Sequence, residues 1–194
     1  DYLRVLKEKM VDGVIYMSSS LEEETLDIIN ELDLKTVLVE TKDKEGRLPS
    51  VYIDNIEATY EATKHLLDKG IKNIAFIGVD KSSANAWGDR YIGYEKALNE
   101  AGIPVDEDLV YFEGLKVKSG YVASEKFLAS GKNFDGIICA SDEIAMGAIN
   151  GLREKGVNTP EDVSVIGFND NVVASYFYPK LTTVKQPSYD MGSV

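Results

Sequence analysis

Short, continuous apolar runs separated by amphipathic stretches constrain this chain more than any other feature it has. The runs predict strands at Val14–Met17, Val37–Glu40, Val51–Asp54, Ile74–Gly78, Val110–Phe112, Gly136–Cys139 and Val163–Phe168. Most are apolar at every position rather than at alternate ones, the pattern of parallel strands covered on both faces. Between them, Trp87, Tyr91, Tyr94, Leu98 and Ala101 recur at helical spacing, as do Ile144, Ala145, Ala148, Ile149 and Leu152. Helices alternating with parallel-type strands specify a doubly wound α/β fold.

The punctuation agrees. Ser20-x-x-Glu23 has the form of a capping box, predicting a helix that turns Leu21, Thr25, Ile28 and Leu32 inward. Later helices are expected to stop at Gly70, Gly102, Gly131 and Gly156, with Pro104 and Pro160 discouraging a restart. KMVDGVIYMS, at residues 9–18, echoes KNFDGIICAS, at 132–141. Each has an Asp-Gly turn entering a buried strand, which suggests two similar α/β lobes.

Composition narrows the function. A chain of 194 residues with a formal net charge of −12 repels phosphates on average, so it is not expected to grip nucleic acid by itself. No apolar run approaches the about 18 residues of a membrane span, and no partner membrane is expected. The single cysteine, Cys139, lies in the apolar run IICA and reads as a buried small hydrophobe compatible with a reducing cytoplasm. His65 is the only histidine, so neither a metal site nor a histidine-based triad is expected, and no cofactor is implied. Nor is there a Gly-x-Ser-x-Gly elbow or a Gly-rich phosphate loop, which argues against an enzyme.

In open α/β sheets, ligands bind beyond the carboxyl ends of the strands, where helix N-termini and free backbone groups converge. The strand ends here are Met17-Ser18, Glu40, Asp54, Gly78–Asp80, Ala140–Asp142 and Phe168–Asp170, and the loop after Gly78 leads to Trp87 and Arg90. Hydroxyls, carboxylates, a guanidinium and an indole suit a sugar, whose hydroxyls need polar partners and whose C–H face an aromatic ring covers. The candidates are Arg90, Asn169, Ser141, Asp142, Trp87 and Ser18. Each has a plainer role as well: Arg90 could pair with a neighbouring helix, Trp87 could be core, Ser141 or Asp142 could cap a helix, and Asn169 could close a turn.

VSVIGFND followed by YFYPKLTTVKQP, the segment SDEIAMGAINGLREKGVNTPEDVSVIGF, and DRYIGYEKALNEAGI together resemble LacI/GalR transcription regulators over essentially the whole chain. The resemblance implies two Rossmann-like lobes of the periplasmic-binding-protein-like type I fold. Residues 1–53 would be a partial N-terminal lobe, 54–180 the C-terminal lobe, and 181–194 a crossover back, with Pro187 opening a helix. The helix-turn-helix headpiece and the first part of the N-terminal lobe would lie outside this chain. Function would be that of an effector-binding and dimerisation core in a cytoplasmic repressor of carbohydrate metabolism. A sugar or sugar phosphate would bind in the interlobe cleft, and operator DNA would be held through the headpiece.

By the same resemblance, Arg90 matches an effector-contacting arginine. Asn169 stands where the family usually has Asp, and Ser141 where sugar-responsive members often have Asn. LPSVYIDN and QPSYDMGSV are similar to the catabolite control branch of the family, which would make Tyr189 and Asp190 contacts for the serine-phosphorylated phosphocarrier protein HPr. The competing class is a transport-type sugar-binding protein. An upstream export signal rather than a helix-turn-helix would distinguish it.

Overall fold

The computed structural model describes residues 2–83 and 85–194. The chain divides into two units, the first running through Ile53 and resuming at Pro187–Val194, the second spanning Asp54–Gln186.

The first unit opens with α1 (Tyr2–Glu8), followed by β1 (Val14–Met17), α2 (Glu23–Glu31), β2 (Thr36–Val39) and β3 (Ser50–Val51). The strands form a parallel sheet in the order β1-β2-β3. Leu3, Ile29 and Leu34 make its small core, with Leu6, Val14 and Leu48 packed against them. The expected capping box does not form. Glu22 is the N-cap of α2 and makes no side-chain cap bond, while the Ser18 hydroxyl accepts from the Ser20 N–H at 3.3 Å. The helix starts later than that box implies; Leu26 and Ile29 are its fully buried residues, while the expected Ile28 and Leu32 are partly buried and pack against the same core. The loop after β2 is braced instead by Asp43, whose carboxylate accepts from the Arg47 backbone at 2.6 Å and from its Nε at 2.9 Å. Those bonds from Arg47 hold the Asp43 carboxyl well below the ordinary carboxylate range.

The second unit continues with α3 (Asn55–Asp68), β4 (Ile74–Gly78), α4 (Ala86–Glu100), β5 (Val110–Phe112), α5 (Val117–Ala129), β6 (Gly136–Cys139), α6 (Asp142–Glu154), β7 (Ser164–Asn169), α7 (Val172–Tyr176) and β8 (Thr182–Lys185). Its five strands are all parallel, in the order β5-β4-β6-β7-β8. From β4 the chain moves outward one way to β5, then returns to build β6, β7 and β8 on the other side. With right-handed crossovers this puts α4 on one face of the sheet and α5 and α6 on the other. The helices pack as the pairs α3 with α4 and α5 with α6. Burial of Phe76, Ile77, Tyr94, Ile137, Ile144 and Leu152 shows both faces covered, as continuous apolar strands require. The Tyr94 hydroxyl reaches a partner inside that core, donating to the Ile74 carbonyl at 2.7 Å. Gly70, Gly102, Gly131 and Gly156 all take positive φ at the helix ends predicted for them.

Several boundaries differ from the sequence reading: β2 and β7 are each displaced by one residue, and two larger differences follow. Strand β3 stops at Val51, and Asp54 serves α3 as its N-cap, accepting from the Glu57 N–H at 2.9 Å. The stretch 182–185, expected to start the crossover, is a fifth strand paired in register with β7, so the second unit extends to Gln186. The following α8 (Ser188–Gly192) belongs to the first unit. Among the described residues no helix is long and apolar enough to cross a membrane, and no cluster of histidine, cysteine and acidic side chains could hold a metal ion. Cys139 is buried, which pushes its thiol far up from the ordinary value.

Candidate functional site

The strand order fixes where a ligand can sit. In an open parallel sheet a crevice forms where two neighbouring strands send their chains to opposite faces. Here that switch lies between β4 and β6. Their carboxyl ends are Gly78 and Cys139, and the loops that follow lead to the starts of α4 and α6.

Asn85 shapes the first of these loops. Its side-chain oxygen accepts from the Trp87 and Gly88 N–H groups at 3.0 and 3.1 Å, which places Trp87 on the first turn of α4 and Arg90 at the start of the second. Gly88 permits the tight closure, since a Cβ there would stand 2.2 Å from the Ser83 carbonyl oxygen. Arg90 then crosses the switch point. Its Nη1 donates to the Ala140 carbonyl just beyond β6, and its Nε donates to the Asn55 Oδ1 at 3.0 Å, at the start of α3. The guanidinium carbon lies 4.4 Å from the centroid of the Trp87 ring and 3.6 Å from that of Phe168 near the end of β7. Arg90 is only 3% exposed. It is the rivet of the switch point as well as a candidate ligand contact, and the plainer role, pairing with a neighbouring helix, is filled by Asn55.

Ser141 and Asp142 are both fully buried at the head of α6. Ser141 is the N-cap, accepting from the Ile144 N–H at 3.3 Å. Asp142 ties three elements together: one oxygen accepts from the Asn171 N–H at 2.7 Å, the other from the Thr183 hydroxyl on β8. Burial pushes the Asp142 carboxyl above its ordinary range, against the opposing effect of those two bonds. Space is tight enough that a Cβ on Gly167 would lie 2.5 Å from an Asp142 oxygen.

Asn169 ends β7 in an unusual backbone state. Its φ is 108°, and the next residue, Asp170, is also left-handed at 57°. Strain of this kind persists only where the surroundings hold it, and such residues cluster at binding sites. The Asn169 side chain is half-buried and makes no hydrogen bond to any described residue. Its backbone carbonyl accepts from the Gln186 N–H at 3.3 Å.

Arg90, Trp87, Ser141, Asp142 and Asn169 therefore all lie at the carboxyl edge formed by β4, β6 and β7, with Trp87 directly against Arg90. Ser18 follows β1 in the first unit, half-buried. Tyr189, 88% exposed, and Asp190, also exposed, lie on α8 of the first unit. Sequence reasoning missed Asn55, Asn85, Asn171 and Thr183, and named Phe168 only as a strand end. Asn85 carried a signal, because an Asn immediately before a helical pattern is a preferred N-cap.

Residues 1–192 match the family of periplasmic binding proteins and the sugar-binding domain of LacI-type regulators. The chain belongs to that family. It is 67% identical over its whole length to the HTH-type transcriptional regulator RegA of Clostridium saccharobutylicum, and covers 58% of that protein. Among solved structures it is similar to the transcription regulator CcpA of Lactococcus lactis, at a TM-score of 0.87 and 36% identity, covering 99% of this chain and 70% of that one. It is also similar to the regulator CelR in complex with cellobiose, at a TM-score of 0.86 and 31% identity, covering 98% of this chain and 59% of that one. The α/β architecture is thus the periplasmic-binding-protein-like fold of LacI/GalR effector-binding cores, and the relatives named are transcription regulators rather than enzymes.

Proposed function

We propose that this chain is the effector-binding core of a LacI/GalR-type repressor of carbohydrate metabolism, and that a small sugar-like effector seats on the carboxyl edge of the five-stranded sheet. The observation that carries the reading is Arg90. A guanidinium buried between two aromatic rings and hydrogen-bonded across the switch point is a preorganised, positively charged floor for hydroxyls. Beside it, the unpaired Asn169 amide offers one donor end and one acceptor end. A carboxylate would offer acceptors only, so the effector presents both a hydroxyl donor and an acceptor to this position. CelR, a structural neighbour, was solved with a disaccharide.

The effector works by differential affinity. Binding one arrangement of the protein more tightly than another shifts the population, and about 1–3 kcal/mol of coupling changes an output 5- to 150-fold. That output is operator binding through a helix-turn-helix domain of the kind RegA is named for. With a charge of −12, this core does not compete for the phosphates itself. Val172, Val173, Tyr176 and Tyr178 form an exposed apolar group on and just after α7, suited to a second copy of the chain in a homodimer.

Thermal shift against a panel of sugars, sugar phosphates and purines tests the reading. A true effector at about 100 times its Kd stabilises by about 2.7 kcal/mol, and Asn169→Ala abolishes that gain. A panel in which no sugar or sugar phosphate raises the melting temperature contradicts it.

A second reading rests on the exposed Tyr189 and Asp190 of α8 and on the 36% identity to CcpA. In it, phosphorylated HPr is the corepressor. Titration with HPr and phosphorylated HPr separates the readings, since only the second reading expects saturable binding that Tyr189→Ala removes.

A further inference from the structure

At the amino-terminal ends of β7 and β8, the opposite edge of the sheet from Arg90, a cavity of about 290 Å³ opens beside the last turn of α3. A second hollow of about 310 Å³ adjoins it and shares Ile149, Thr159, Pro160 and Pro179. Together they reach the size of a small-ligand site. The chain holds 33 acidic residues against 21 lysines and arginines, yet the charged groups lining the first cavity are Lys69 and Lys180, beside His65, with no carboxylate among the described residues there. Hydroxyls join them at the strand starts, from Ser164 and Thr182, with Thr159 alongside. The Thr159 hydroxyl oxygen is buried without a hydrogen-bond partner. Buried polar groups are nearly always paired, and this oxygen has no partner among the described residues, although it is covered from the cavity as the side chain stands. The apolar part of the wall is Leu66, Ile149 and Ile166.

We propose that this cavity is a second binding site, for a small organic phosphate. Two ammonium groups supply the charge that a phosphate needs, the imidazole and the hydroxyls supply donors for its oxygens, and the aliphatic wall takes a compact apolar body. A chain this acidic spends a local excess of positive charge on an anion or leaves it solvated. The concavity, and the Ser164 and Thr182 side chains that share its wall with the two lysines, favour the anion. The glutamate in the neighbouring hollow, Glu161, limits the phosphate head to the first cavity.

The test is a nitrogen-15 NMR titration of the chain with phenyl phosphate, with benzyl alcohol as the uncharged counterpart. Saturable shifts are expected at the amides of Lys69, Thr159, Ser164, Lys180 and Thr182, and not with benzyl alcohol. Lys69→Gln/Lys180→Gln raises the Kd at least about tenfold, since two charge-assisted contacts are lost. Both lysines are exposed, so the melting temperature of this variant stays at the parent value. Unchanged affinity in the variant overturns the proposal. Shifts that cluster instead around Arg90 and Asn169 also overturn it, while leaving the effector reading standing.

Discussion

Replacing Arg90 with alanine tests the reasoning about the switch point most severely, because fold and site meet in that one side chain. The sequence reading expects Arg90→Ala to weaken effector binding with little loss of fold. The structure revises the second half. Arg90 is 3% exposed, donates to Asn55 and to the Ala140 carbonyl, and lies between Trp87 and Phe168. Hydrogen bonds from a charged donor contribute about 1.5–3 kcal/mol each, and the acceptors left behind are themselves buried. Stacking on two rings adds about 0.5–2 kcal/mol. Because these contributions are not additive, a loss of about 4 kcal/mol is a fair centre. For a chain of this size that corresponds to a fall of about 8–16 °C in melting temperature. Arg90→Lys keeps the charge but offers a single compact head, so it falls roughly half as far. Circular dichroism melts of parent, Arg90→Lys and Arg90→Ala check the ladder. If Arg90→Ala melts within about 2 °C of the parent, the guanidinium is not a structural rivet and the burial argument fails.

Other expectations are independent of that one. Asn169→Val loses about 1–3 kcal/mol by forcing a β-branched residue into positive φ, whereas Asn169→Gly stays within about 1 kcal/mol of the parent in urea melts. Gly147→Ala places a Cβ 1.9 Å from the Val117 carbonyl oxygen, where α6 crosses α5, and costs about 3 kcal/mol or more in the same assay because backbone cannot step aside. Asp142 carries a pH signature. Its carboxyl is raised by burial, so the native chain holds that proton more tightly than the unfolded one. Its contribution is fully present below the ordinary carboxylate range and is lost as pH rises through the raised native value. The stability difference between parent and Asp142→Asn, followed from about pH 3 to about pH 7, should therefore move against the parent as pH rises.

Much of the fold was legible because burial on both faces leaves an unbroken apolar run. β4 and β6, buried at every position, have the predicted bounds, and so do β1 and β5, whose apolar runs are unbroken although Ile15, Met17 and Phe112 are exposed. Strand β8 was not legible. Thr182 to Lys185 sit at the sheet edge with only the middle residues half-buried, so neither a continuous nor an alternating apolar pattern is written there. At α2 the Ser-x-x-Glu spacing was present but the helix starts at Glu23 itself, and its inward face holds Leu26 and Ile29 as well as the expected Ile28 and Leu32. The site was legible as a set of strand ends, since topology alone brings Arg90, Ser141 and Asn169 to one edge. What each side chain does there was not. The exception is the Ser141 cap, made to a partner three residues on, whereas Arg90 docks on Asn55 and Asp142 braces Thr183 across 35 and 41 residues that sequence spacing does not connect.

Trp87 is the only tryptophan in the chain and stacks on Arg90, so its fluorescence reports on this edge alone. A sugar or sugar phosphate that gives saturable heat in calorimetry should shift or quench that emission with the same midpoint, and Asn169→Ala should weaken both together. Heat that saturates while Trp87 emission stays constant would place the ligand elsewhere and contradict the account.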